Sequence, residues 1–473
     1  MTDMNDLEIK RDPDLRISVG SDTVAATRYH MGDGDAKPTL LMYVPYRKDD
    51  FITYGAYQPL VEYLAGNGYD VVVADMVGTG ASTGSKMDWV EPGEGREAAQ
   101  IVEWIADRDW CSGRVGMFGK SYGGITTLRG AVERPEALEA IVPIHAPYSG
   151  YQDTYVGGAF ALYGMGGHWT PLMQALQAAP PSRRDKDGRW AEVWHERLDD
   201  LSEIRPSLFQ YLDHDYEDEY WRGREIPVDR IDVPTLAVSG WRDSYPHTTI
   251  RYFEQLDAPK HLFLGPWRHT MPHRGREAAI DFRRIVREWF DRHLKDDGET
   301  ALEDGAITYW TEARGGGVPD EGVWRQRTNW PSSTANESMS SDIFSFQLAS
   351  SGLVDADTSS WEGVDREYES DYTVGMDSFD AGIPADTTPD DVRSMTFETE
   401  RLDAPIELTG SGTATLRITP TSTDPQVSVR VTDVAPNGSA TLVTRGQLRL
   451  THRDGHEEPT EVAPRNEYRS RFR

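Results

Sequence analysis

Cysteine and lysine are the residues this chain has least of. The single cysteine, Cys111, has no internal partner, so no disulfide framework holds the 473 residues together and the core must come from apolar burial. Only 8 of the 49 basic residues are lysines, and those 49 face 79 Asp and Glu, a formal net charge of −30. A surface so short of positive charge repels a polyanion, which excludes nucleic acid as a partner. Long apolar runs are missing too. No stretch of about 18 apolar residues is present, which argues against a membrane-spanning helix, and no membrane partner is expected. The opening MTDMNDLEIKRD lacks the apolar centre of a secretory signal, so the expected location is cytoplasmic. Arginine in place of lysine beside surplus carboxylates fits a halophilic protein, because salt screens the self-repulsion of so many like charges. None of these features names an activity.

What is present is an alternating pattern. From Leu15 to about Asp296 short apolar runs alternate with amphipathic stretches, as in a mostly parallel sheet wrapped by helices. TLLMYVPY (Thr39 to Tyr46), DVVVAD, GRVGMFG (Gly113 to Gly119) and LEAIVPI (Leu138 to Ile144) read as strands. Tyr57, Leu60, Val61 and Leu64, then Ala98, Ile101, Val102 and Ile105, recur at helical spacing between them. From Tyr148 to Ile231 the sequence turns aromatic-rich and helical, an insertion expected to cap the active face. PTLAVSG (Pro234 to Gly240) and KHLFLGP (Lys260 to Pro266) resume the strands, and a helix follows with Phe282, Ile285, Val286, Trp289 and Phe290 on one face. The acidic KDDGETALEDG (Lys295 to Gly305) reads as a linker. Beyond it AITYWTE, DIFSFQLA, TATLRITP, VSVRVTDV and TLVTRGQLRL alternate with period two, as in a β-sandwich. The expected domains are an α/β catalytic domain over 1–147 and 232–296, a helical cap over 148–231, and an all-β domain over 306–473.

The segment GKSYGG sets Ser121 in G-x-S-x-G, directly after a strand and before a helix. Chemistry needs small neighbours there, because a nucleophile on a strained strand-to-helix turn leaves no room for side chains two positions away. A serine hydroxyl is a weak nucleophile and needs a histidine base with a carboxylate behind it. Asp243, after PTLAVSG, and His269, after KHLFLGP, lie where later strands would deliver them, in the order Ser, Asp, His. Of the twelve histidines, His145, His247 and His273 are the rivals. His269 and His273 are four apart, but the intervening Pro272 breaks a helix, and no Cys or HExxH cluster supports zinc, so neither metal nor cofactor is expected. Acyl transfer also wants two oxyanion donors. The Tyr122 amide is one candidate. The other is the loop after TLLMYVPY, where Tyr46 is either a phenol donor or an ordinary buried aromatic. Trp169, Tyr163 and Trp241 are candidate pocket walls that would serve equally well as core.

Taken in order, VPYRKDD, DMVGTGASTG, EWIADRDWCSGRVGMFGKSYGG, SGWRDSY, GPWRH and WFDRHLKDDGETAL resemble the cocaine esterase-like (CocE/NonD) hydrolases of the X-Pro dipeptidyl-peptidase (S15) superfamily. GVWRQRTNWP, APIELTGSGTATLRI and VRVTDVAPNGSATLVTRGQLRLTHR extend the resemblance across nearly the whole chain. It implies an α/β-hydrolase domain with an inserted helical cap, followed by an all-β jelly-roll (galactose-binding-like) domain. It further implies Ser121, Asp243 and His269 as triad, the Tyr46 hydroxyl and Tyr122 amide as oxyanion hole, and a small ester, amide or short peptide as substrate. Two departures stand out. Val77 sits where the family commonly has arginine, which removes that residue's ion pair. The chain also closes on PRNEYRSRFR, where relatives continue, and RSRFR looks unlike the strand expected there, so the jelly roll is expected to be incomplete with an exposed apolar edge. The leading expectation is an ester- or amide-cleaving serine hydrolase. Its alternatives are an X-Pro dipeptidyl-peptidase, or an inactive remnant or binding protein.

Overall fold

The computed structural model describes residues 8–472 except 33, 87, 163, 182–187, 275–279, 296–301, 314–320, 331–344, 356–363, 372–373 and 375–385. Tyr163 and most of the expected linker therefore lie outside the described residues. The chain opens with an antiparallel pair, β1 (Lys10–Val19) and β2 (Asp22–His30), which the sequence reading did not resolve. β3 (Lys37–Val44), α1 (Phe51–Gly66), β4 (Asp70–Asp75), α2 (Gly93–Ala106), β5 (Cys111–Lys120), α3 (Tyr122–Val132) and β6 (Leu138–Ile144) follow as the apolar pattern predicts. β3 to β6 read as continuous apolar runs because helices cover both faces of a parallel sheet. Leu40, Val72, Met117 and Ile141 are all fully buried in one core cluster with Ile101, Leu64 and Phe290.

Residues after β6 leave the sheet as α4 (Gly150–Thr154), the short pair β7 (Tyr155–Val156) and β8 (Ala159–Phe160), a π-helical turn over Met165–Trp169, α5 (Thr170–Ala178), α6 (Trp190–Glu203), α7 (Ser207–Asp213) and α8 (Glu219–Arg222). The chain then returns through β9 (Thr235–Gly240), α9 (Pro246–Gln255), β10 (Lys260–Gly265) and α10 (Phe282–Leu294). Two further strands, β11 (Ile307–Glu312) and β12 (Gly322–Arg327), complete a ten-stranded sheet of order β1-β2-β4-β3-β5-β6-β9-β10-β11-β12. Both strands lie beyond residue 306, in the stretch whose alternation reads as β-sandwich. The alternating AITYWTE is not the first strand of the sandwich: β11 pairs in parallel with β10 and carries β12 on its outer edge. A period-two pattern marks a strand but is silent about its neighbour.

The rest of the described chain is almost all β: β13 (Phe346–Ala349) with β14 (Gly352–Asp355), a single turn α11 (Thr388–Asp391), β15 (Ala414–Ile418), β16 (Gln426–Val434), β17 (Ala440–Arg449) and β18 (Tyr468–Phe472). The closing segment, which looks unlike the strand expected of relatives, nonetheless forms one: β18 pairs antiparallel with β15, and Phe472 is buried with Leu448, Leu450 and Val462. The alternation in YRSRF, with Ser470 and Phe472 inward and the arginines outward, fits a strand with one solvated face. This unit docks on the inserted segment, at the β7–β8 turn and the loop between α7 and α8. The Arg449 amide donates to the Gly157 carbonyl (2.8 Å), its guanidinium meets Asp215 (2.8 Å), and the Gln447 amide group reaches the Val156 carbonyl (2.9 Å). No described helix is long and apolar enough to cross a membrane.

Candidate active site

Adjacent parallel strands end on one edge of the sheet, and a relay of backbone hydrogen bonds ties their ends together. The Ser121 amide donates to the Ile144 carbonyl (2.8 Å), His145 to Val238 (2.7 Å), Trp241 to Gly265 (2.9 Å) and Arg242 to Trp267 (3.0 Å). The residues just beyond β5, β6, β9 and β10, namely Ser121, His145, Asp243 and His269, are thereby gathered at the carboxyl ends of the strands, where open α/β sheets hold their ligands.

Ser121 sits between β5 and α3 at φ 59° and ψ −120°, a conformation a non-glycine residue adopts only under constraint. The glycines of the motif make it possible. A Cβ on Gly119 would come within 2.5 Å of the Gly123 carbonyl, and one on Gly124 within 2.6 Å of the Ala146 methyl. The turn leads straight into α3, so the Tyr122 amide is in the first helical turn, where amides have no intrahelical acceptor. The Tyr122 ring is fixed beneath it. Its hydroxyl donates to the buried Glu94 (2.7 Å) and accepts from the Val90 amide (2.6 Å), and Lys86 pairs with Glu94 at 2.7 Å.

Asp243 and His269 meet as the spacing predicts: His269 Nδ1 lies 2.7 Å from Asp243 Oδ1, and both are almost completely buried. The same oxygen accepts from the Ser244 amide (2.7 Å). Burial alone would raise the Asp243 carboxyl, but His269, His145 and the hydrogen bonds from their rings outweigh it and hold the group well below the carboxylate range. For His269 burial wins. It pushes the imidazolium down to about 4 against the pull of Asp243, helped by Lys120 and His145, so the ring is a neutral base at pH 7. Lys120 Nζ donates to the His269 carbonyl (3.0 Å), which anchors the loop of the base beside the residue preceding Ser121.

Tyr46 follows β3, the neighbour of β5, and is buried. Trp169 of the inserted segment donates its indole N–H to the Tyr46 hydroxyl (3.1 Å), and its ring stacks on Tyr122 with centroids 5.3 Å apart. One residue of the inserted segment thus touches both candidate oxyanion residues, and no spacing in the sequence signals a contact between positions 46 and 169. Arg47 strengthens the tie, donating to the Leu176 and Pro180 carbonyls and pairing with Asp50 at 2.6 Å.

Of the rivals, His247 is exposed at the start of α9, and His273 lies in a short turn away from these contacts. His145 is in the site, bonded to Asp243 rather than standing in for His269. Trp241 is structural: its indole donates to the Trp310 carbonyl (2.8 Å). Where Val77 replaces the expected arginine, a guanidinium arrives from elsewhere. Arg197 of α6 is buried and donates to the Gly80 and Ser82 carbonyls (3.0 and 2.8 Å), close enough to Asp75 to feel its charge. His145, Asp243 and His269 bring their nitrogen and oxygen atoms within 4.8 Å of one another, as metal ligands would, but the 2.7 and 2.8 Å hydrogen bonds already engage those atoms.

A mixed sheet with helices on both faces, a positive-φ serine after β5, and an Asp-His pair after β9 and β10 define an α/β-hydrolase fold. Comparison with known proteins narrows this. Residues 26–271 match the X-Pro dipeptidyl-peptidase (S15 family) model and 302–472 match the X-Pro dipeptidyl-peptidase C-terminal non-catalytic domain, and the chain belongs to the S15 family. It is 28% identical over 473 residues to cocaine esterase of Rhodococcus sp., covering 89% of this chain and 80% of that one. To the Xaa-Pro dipeptidyl-peptidase of Lactobacillus helveticus it is 23% identical, covering 86% of this chain and 53% of that enzyme. A selenomethionine-labelled α-amino acid ester hydrolase shares the fold, with a TM-score of 0.76 at 18% identity over 98% of this chain and 86% of the other. The protein is a hydrolase of this esterase and peptidase family.

Proposed function

We propose that the chain is a serine hydrolase that cleaves carboxylic ester or amide bonds of small substrates through an acyl-enzyme. Ser121 Oγ attacks the carbonyl carbon while His269 Nε2 takes its proton. The tetrahedral oxyanion is held by the Tyr122 amide and the Tyr46 hydroxyl, and the bond to the leaving group breaks as His269 returns the proton to it. Water repeats the sequence on the acyl-Ser121 ester and frees the acid. The observation that carries the reading is the 2.7 Å Asp243–His269 pair on strand ends adjoining the Ser121 turn. Residues 1–147 and 232–296 would supply this chemistry, and 148–231 would cap it through Trp169. A cytoplasmic location belongs to the same proposal.

The test is hydrolysis of an activated phenyl ester and an anilide by the wild type and Ser121→Ala. We expect the variant to lose a factor of about 10⁵ to 10⁶ in kcat, the loss seen when a triad acts as a unit. Undiminished turnover by Ser121→Ala would refute the assignment. Including an Ala-Pro anilide separates acyl hydrolysis from dipeptidyl-peptidase activity.

A further inference from the structure

Asp243 carries a second imidazole that the proposed acyl transfer does not use. His145, the first residue after β6, is fully buried and held at φ 49°. Its Nδ1 lies 2.8 Å from Asp243 Oδ2, and its Nε2 lies 3.0 Å from the Thr270 carbonyl oxygen. A carbonyl oxygen only accepts, so Nε2 must carry hydrogen. Asp243 is also an acceptor: Oδ1 takes hydrogen bonds from His269 and the Ser244 amide, and Oδ2 faces the Ser239 hydroxyl at 3.5 Å. With Oδ2 accepting from the Ser239 hydroxyl and the Asp243 carboxyl held ionised by its surroundings, the hydrogen between Oδ2 and Nδ1 belongs to His145. A neutral imidazole cannot satisfy both contacts, because it has only one N–H.

We infer that His145 is a buried, doubly protonated imidazolium that neutralises Asp243 and clamps its outer oxygen, a positioning residue that sets the orientation and basicity of His269. The inference rests on the triad reading above. Its consequence is electrostatic. An unshielded Asp243 would stabilise the protonated form of His269 by a full opposite charge. With His145 positive on the other oxygen, 5.6 Å from the His269 ring, His269 meets a neutral pair and releases its proton at lower pH. In acylation the Ser121 proton goes to His269 Nε2, the Nδ1 proton stays on His269, and none passes to Asp243. Among the described residues, the charged and titratable groups facing His145 are Asp243 and His269, with Lys120 beyond His269 and Tyr245 edge-on to the His269 ring at 5.6 Å.

Two measurements test this. In wild-type protein labelled with ¹⁵N-histidine, both His145 ring nitrogens should resonate as protonated from about pH 6 to about pH 8, where an ordinary histidine is neutral over most of the range. His145→Gln keeps a donor toward Asp243 but removes the charge. It should move the acid limb of kcat/KM for an activated ester upward by about one pH unit or more, the effect expected of a unit charge at this distance in a protein interior. The plateau kcat should fall less than about tenfold, and His145→Phe, which removes the donor too, should lose more. A neutral His145 ring at pH 7, or an acid limb unmoved in His145→Gln, would overturn the inference. The spectrum needs no turnover, so it decides the state of His145 whether or not Ser121 is the nucleophile. Failure of the triad reading would show itself separately, as full activity in Ser121→Ala.

Discussion

Removing one oxygen atom from Tyr46 isolates its proposed role. Tyr46→Phe keeps the ring against Trp169 and deletes the donor, so kcat should fall by about 10² to 10³, the usual loss of one oxyanion contact. A loss under threefold, read by steady-state kinetics on an activated ester, would place the second donor elsewhere. The positions of Ser121, Tyr122, Asp243 and His269 after strands β5, β9 and β10 are legible in the sequence, because parallel strands deliver such residues to one edge; Tyr46 stands out as a donor only through the family resemblance. The partners of those residues were not legible. His145 reaches Asp243 across 98 positions and Thr270 across 125, and Trp169 reaches Tyr46 across 123. Such contacts are set by how the inserted segment and the strand ends meet, which no local spacing encodes. The same holds for Arg197, which brings a buried guanidinium beside the Asp75 loop although position 77 is valine.

Among the elements, α4 carries an unusual carboxyl. Asp153 is buried against the Ser149 amide (3.3 Å), and burial pushes it up to about 8. The folded state therefore holds a proton there that the unfolded chain releases near 3.8. This contribution to stability is complete below the unfolded value and is lost as pH rises toward 8. Asp153→Asn stays neutral at every pH. Its melting temperature should exceed that of the wild type by several degrees at pH 8.5 and by much less at pH 5, and an equal difference at both would show that Asp153 ionises normally. The strands β3 to β6, β9 and β10 and the helices α1 to α3 and α10 follow from apolar runs and helical spacing, whereas β7 and β8 lie in the stretch read as helical and α9 is not read from the pattern. What the pattern left out was pairing. β11 and β12 read as sandwich strands but extend the main sheet, since alternation shows that a strand has one buried face and not which sheet buries it.

At the scale of the molecule, −30 charges on 473 residues should repel one another at low salt. The Debye length shrinks from roughly 10 Å at 0.1 M to roughly 3 Å at 1 M salt, so we expect the melting temperature to rise by several degrees over that range. A flat or falling profile, measured in NaCl by calorimetry, would contradict salt adaptation. Salt should leave the buried Asp243–His269 pair largely unscreened, so activity per folded molecule should change less than stability does. The C-terminal unit meets the inserted segment through Arg449, Asp215 and Gln447, which makes that segment a bridge between the ten-stranded sheet and the later β strands.

The central claim is that Ser121 is a nucleophile activated by its setting. Treating the folded wild type with a fluorophosphonate probe and mapping the adduct by peptide mass spectrometry tests it most directly. The account predicts one adduct, on Ser121, abolished in Ser121→Ala and strongly slowed in His269→Ala. An unlabelled folded protein, or a label on another serine, would contradict it.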